Sequence, residues 1–93
     1  VTALLCYNDQ CAHGASLALL GDGLVPGRDM LVVGCDNSAI ASSRALSLTS
    51  IDRAPSRVAS LAVDQAIARA LGDSGSPARQ RVDTELVVRA STG

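Results

Sequence analysis

The sequence predicts an α/β fold, a parallel sheet with helices packed on it, and three observations carry that prediction. Two apolar runs, Ala3-Leu4-Leu5-Cys6-Tyr7 and Met30-Leu31-Val32-Val33, are short and lack polar alternation, as in strands covered on both faces. Between them lies a stretch of small residues at helical spacing, the crossover that a parallel pair requires. Both runs end in a polar pair, Asn8-Asp9 and Asp36-Asn37, and in parallel sheets a small molecule lies beyond the carboxyl ends of the strands. The place of a ligand is legible before its identity.

The elements follow in order. Asn8 or Asp9 supplies a side-chain oxygen that can cap the first helix, predicted from about Gln10 to Leu20. Cys11, Ala12, Ala15, Ala18 and Leu19 form its apolar stripe, and Gly21-Asp22-Gly23 stops it. Pro26-Gly27-Arg28-Asp29 is a turn into the second strand. Ser38 to Arg44 reads as a short helix or an ordered loop, with Ile40 its one large apolar residue. Leu46 to Ile51 alternates as a third strand and is followed by Asp52-Arg53-Ala54, a third polar group past a strand end. Pro55 opens a helix of about four turns with a stripe of Ala59, Val63, Ala66, Ile67 and Ala70, and Gly72 stops it. Asp73-Ser74-Gly75-Ser76-Pro77 is a loop by composition. Arg81 to Arg89 alternates as a last strand, near an edge.

Composition narrows the function classes. With 93 residues there is room for one domain or a piece of one. A formal net charge of −1 and 18% charged residues describe no basic nucleic-acid surface. Tyr7 is the one aromatic residue, so base stacking and sugar-ring platforms are not supplied by this stretch. Cys6, Cys11 and Cys35 are odd in number and show no CxxC spacing, which argues against a disulfide framework, and with no charged start leading into an apolar core and cleavage site the expected setting is reducing and cytoplasmic. No run is long enough to span a bilayer. Val1-Thr2 leads directly into a strand without an initiator Met, which reads as an excised piece.

Several separated signatures then appear in one order: Asn8-Asp9 with Gly14, Gly23-Leu24-Val25-Pro26, Val32-Val33-Gly34 with Asp36, Leu48-Thr49, and Leu86-Val87-Val88-Arg89 before Ser91-Thr92. In this the chain resembles, over essentially its whole length, the C-terminal part of lactose-repressor/galactose-repressor (LacI/GalR) type transcriptional regulators. The resemblance implies a type I periplasmic-binding-protein-like effector domain of two lobes, closed by a sugar or related metabolite that alters operator affinity. Residues 1–93 would be the C-terminal portion of that effector-binding and dimerisation domain. The DNA-binding helix-turn-helix and most of the first lobe would lie outside it, with operator DNA reached only through that missing N-terminal region. The helix after Pro55 would pack in the other lobe, so the fragment alone should expose surface, and dimerise or swap to cover it.

Carried over by position, Asn8 matches an asparagine that bonds effector hydroxyls and Asp36 a ligand-contacting carboxylate. Arg53 falls where a polar crossover residue reaches the effector, and would suit a phosphate or carboxylate there. Ala12, Ala15 and Ser16 lie on the helix that the family uses for dimer contact; packing on the sheet is the bland alternative. Cys35 stands where an aromatic is usual, Asn37 where a second aspartate is common, and His13 where an aliphatic is usual. Between its two polar residues, the reading gives ligand contact to Asn8 and the helix cap to Asp9. No nucleophile elbow, HExxH, zinc spacing or dinucleotide fingerprint is present, so neither catalytic residues, metal nor cofactor is expected. The expected function is therefore an effector-sensing, homodimeric part of a repressor, not an enzyme and not at a membrane. The alternatives are a periplasmic sugar-binding protein of a transporter and a small α/β enzyme using Cys6 or Cys35.

Overall fold

The computed structural model describes residues 2–75 and 79–93, so Ser76 and Pro77 of the expected loop lie outside the described residues. The strands β1 (Ala3–Leu5), β2 (Leu31–Cys35), β3 (Thr49–Asp52) and β4 (Glu85–Val87) form one sheet in sequence order. β1, β2 and β3 run parallel, with Leu5 beside Val33 and Cys35 beside Ile51. β4 runs antiparallel to β3 at the edge. Helix α1 (Asp9–Gly21) links β1 to β2, α2 (Pro55–Ala70) follows β3, and a short 3-10 turn spans Ala90–Thr92. No described helix is long and apolar enough to cross a membrane.

Local chemistry explains where both helices end. After α1, Gly23 takes φ 78°, its N–H bonds Leu20 O at 3.0 Å and the Leu24 N–H bonds Leu19 O at 2.9 Å. Gly72 at φ 96° repeats this after α2, with the Gly72 and Asp73 N–H groups reaching Arg69 O and Ala68 O. This paired arrangement satisfies the last carbonyls, and it needs a residue without a β-carbon to turn left-handed. Pro55 opens α2.

Tertiary packing changed several expectations. The core is small: Ala12, Val32, Ala41 and Leu48 are fully buried, with Cys6, Leu19 and Leu46 packed against them. α1 covers one face of the sheet, and Leu5 and Tyr7 stay exposed, surface of the kind the fragment was expected to leave uncovered. α1 also turns a different stripe inward. Asp9, Ala12 and Ser16 are its buried residues, whereas Cys11 and Ala18 face outward, because a helix of nearly uniform small residues leaves its rotation to the partner surface.

The third strand starts at Thr49 and not Leu46, since Ser47 at φ 41° breaks the extended backbone. Residues 38–44 form turns, the loop of the two alternatives the sequence left open. The last strand is confined to Glu85–Val87, because its partner strand ends at Asp52. α2, which the resemblance assigned to the other lobe, buries no residue, and Gln80 and Val82 run beside its Val58, Leu61 and Ala62 in place of the expected stripe. The radius of gyration of 17.8 Å, against about 12 Å for a compact chain of this length, has the same cause.

The segment 89–92 is stitched into the sheet. The Ser91 hydroxyl, buried between β2 and β3, accepts from the Thr49 N–H at 2.8 Å and donates to Val32 O at 2.6 Å. Substitution S91A leaves both backbone groups buried and unpaired, and the expected loss is about 2–4 kcal/mol in urea unfolding. A change below about 0.5 kcal/mol, no more than an ordinary surface substitution, would contradict this bridging role.

Candidate functional site

Parallel register brings the three strand ends to one rim. There Asn8, Gln10, Asp36, Ser38 and Ile40 line a cleft of about 430 Å³. Ile40 gives it an apolar patch, and the others supply hydrogen-bonding groups. This mixture suits a small polar molecule with an apolar face.

The helix cap falls to Asn8 and not, as expected from sequence, to Asp9. Asn8 is the helix cap: its Oδ1 accepts from the Cys11 N–H at 2.8 Å, which leaves the amide Nδ2 as the group available toward the cleft. Asp9 points inward, only 2% exposed. Its Oδ2 accepts from the Ser38 N–H at 2.7 Å and the Ser38 hydroxyl at 2.8 Å, and its Oδ1 from the Ser50 hydroxyl at 2.6 Å. Three donors and the first turn of α1 compensate for burying the charge. Asp9 thereby fastens α1, β3 and the wall of the cleft to one another.

Asp36 continues the ladder through its N–H to Ile51 O at 2.8 Å and turns the chain with φ 104°, followed by Asn37 at φ 46°. The Arg53 guanidinium donates to Asp36 Oδ1, which makes an ion pair across two strand ends. That hydrogen bond, reinforced by charge, raises the Arg53 pKa. Arg53 is 64% exposed in its side chain and lines the neighbouring hollow with Pro55 and Val58. Its charge is thus met by Asp36, which removes the specific argument for an anionic effector. Asp52 beside it is held below the ordinary carboxylate range by hydrogen bonds from Asn37 and from the Ala54 N–H.

The structure brings Asn8 and Asp36 to one cleft and reaches Arg53 through Asp36. Ala12 and Ser16 are turned onto the sheet, 0% and 1% exposed, so the packing alternative describes them and they have no surface to offer a second copy. Ala15 is half-buried. Gln10 and Ser38 were missed by sequence reasoning; Ser38, two residues past Asp36 at the same strand end, carried a usable signal. Burial pushes the Cys6 thiol up, with Cys11 adding to the effect, which is the opposite of what a thiolate nucleophile needs. Among the described residues no three His, Cys, Asp or Glu side chains are grouped to hold a metal ion.

Comparison with known proteins extends this picture. Residues 2–92 match the model of the periplasmic binding protein-like domain. The chain is similar to a LacI-type transcription regulator from Bifidobacterium animalis subsp. lactis DSM 10140, with 38% identity and a TM-score of 0.92 over 98% of this chain and 32% of that one. A dimeric Lac repressor with an 11-residue C-terminal deletion shares 33% identity at a TM-score of 0.88, covering 98% and 33%. The transcriptional regulator CelR in complex with cellobiose shares 26% at 0.91, covering 98% and 28%. The chain therefore spans about a third of the length of these structures. No curated protein sequence matches it.

Proposed function

Because this chain belongs to the periplasmic binding protein-like domain family, we propose that it is the C-terminal portion of the two-lobed effector domain of a LacI-type transcriptional repressor, and that it senses a sugar-like metabolite. The observation that carries this reading is the convergence of Asn8 and Asp36 on one cleft at the carboxyl ends of parallel strands. Asp36 offers a second carboxylate oxygen beside its ion pair, and Asn8 an amide donor. Together they match the alternating donors and acceptors of a neutral polyol. CelR, of the same architecture, is solved with cellobiose.

In this reading the chain binds and does no chemistry, and the protein is cytoplasmic. Ligand closes the second lobe over the cleft, and the population shift reaches operator DNA through an N-terminal DNA-binding region. Homodimerisation is assigned to the outward face of α1, where Leu17 and Leu20 are 56% and 53% exposed, in place of Ala12 and Ser16. The matched structures are regulators, which favours this reading over a transporter's binding protein.

The test is calorimetric titration of the full-length protein with a panel of neutral mono- and disaccharides, cellobiose included. At least one is expected to bind, and D36A should weaken it by about tenfold or more through loss of a charge-assisted contact. Absence of binding across the panel, or equal affinity in D36A, would refute the assignment.

A further inference from the structure

The Asp36–Asn37 turn is costly, since both residues carry a β-carbon at positive φ. A set of hydrogen bonds behind the cleft holds it there. The Asn37 N–H donates to Ser50 Oγ at 2.9 Å. Its amide oxygen accepts from Arg89 Nη2 at 2.7 Å, and its amide nitrogen donates to Asp52 Oδ2 at 2.9 Å. Arg89 is itself fixed, because Nη1 donates to Leu48 O at 2.7 Å and its main chain is tied to the Thr49 hydroxyl. At the other end Asp52 Oδ1 accepts from the Ala54 N–H at 2.7 Å. Ala54 is another left-handed residue, φ 50°, and it heads α2.

One polar chain thus runs from Arg89 through Asn37 and Asp52 to Ala54. It joins the segment after β4, the end of β2, the end of β3 and the start of α2. The planar fork of Arg89 meets two acceptors at once, Leu48 O and Asn37 Oδ1, which fixes the Asn37 amide plane and its outward nitrogen toward Asp52.

We propose that Arg89 and Asn37 are positioning residues of the cleft: they hold the Asp36 carboxylate on its rim and lock that rim, through Asp52, to the start of α2. A displacement of Asp36 is then passed to the crossover into α2, instead of being absorbed by a soft turn. The functional weight of this device rests on the reading that Asp36 meets the ligand. The device itself is ligand-independent.

The test uses amide exchange and carboxyl titration by NMR on the isotope-labelled full-length protein, without ligand. N37G keeps a left-handed backbone easy but removes both side-chain links; R89Q removes the fork and R89K keeps the charge. Exchange at Asp36 and Ala54 should quicken together by about tenfold in N37G and R89Q, as expected for loss of one or two bonds. Ala12 and Val32 should keep their protection. The Asp52 carboxyl should titrate closer to an ordinary carboxylate in N37G, and R89K should restore exchange part of the way. A purely local role for Arg89 would not move Ala54 or Asp52. Unchanged Asp36, Ala54 and Asp52 in N37G with an intact core overturns the proposal. If R89Q unfolds, N37G and R89K decide by the same readings. Failure of the carbohydrate panel would leave this result standing, and failure here would leave the panel's result standing.

Discussion

Replacing Gly34 with alanine is expected to destabilise the chain by at least about 3 kcal/mol, an overpacking cost with broken charge-assisted bonds added to it. Gly34 lies in β2 directly under the start of α1. A β-carbon there would overlap Asp9 Oδ1 and lie 2.8 Å from Leu48 Cδ2 and 3.2 Å from Asp9 Cα. None of the three can step aside cheaply. The Asp9 carboxylate is fixed by Ser38 and Ser50, Leu48 is fully buried in the core, and the Asp9 Cα is helix backbone. The remaining relief is to lift α1 off the sheet, which unpacks Ala12 from Val32. With a core of this size the loss is a large part of the total stability, and the melting temperature should fall by roughly 15 °C. Thermal unfolding followed by circular dichroism checks it; a G34A chain melting within about 3 °C of the parent, less than 1 kcal/mol, would show that α1 is less firmly seated.

Removing the Asp9 carboxylate is the second large effect. In D9A the Ser38 N–H and hydroxyl and the buried Ser50 hydroxyl all lose their acceptor, and the Ser50 oxygen keeps only its role as acceptor for the Asn37 N–H. The expected cost is about 3 kcal/mol, because a buried donor left unpaired carries its full desolvation penalty. D9N should fall short of rescue, since an amide presents one acceptor where the carboxylate presents two. The two sites are coupled in a definite direction. Once Asp9 Oδ1 is gone, the methyl group that G34A introduces has room, so G34A should cost about 1–2 kcal/mol less in the D9A background. Urea unfolding of the four chains in the cycle measures this, and strict additivity would mean that the overlap at Gly34 is relieved by some other movement.

Both effects concern Asp9, which the sequence offered as the helix cap and the structure buries instead. Asn8 and Asp9 are adjacent, both are good helix caps, and both follow an apolar strand. Which one caps and which one is buried depends on the rotation of α1 over β2. Along α1 the residues are small or apolar on nearly every side, so no stripe in the sequence fixes that rotation. The partner surface does: Gly34 leaves a hollow that Asp9 fills. Arg53 follows the same logic. Its approach to Asp36 is visible only when β2 and β3 are set side by side, and the resulting ion pair takes away the reason to expect an anionic ligand.

By itself the sequence determined the order of strands and helices, the crossover and the helix stops, because these arise from neighbours in the chain: apolar runs, Pro55 at a helix start, Gly23 and Gly72 at left-handed ends. It also determined that Asn8 and Asp36 meet at one sheet rim, since parallel connection forces successive strand ends to the same side. Tertiary structure alone decided the antiparallel direction of β4, the inward turn of Asp9, Ala12 and Ser16, and the reach of Arg89 to Asn37. Those depend on groups brought together from distant positions, whose pairing exists only after the sheet has fixed its register.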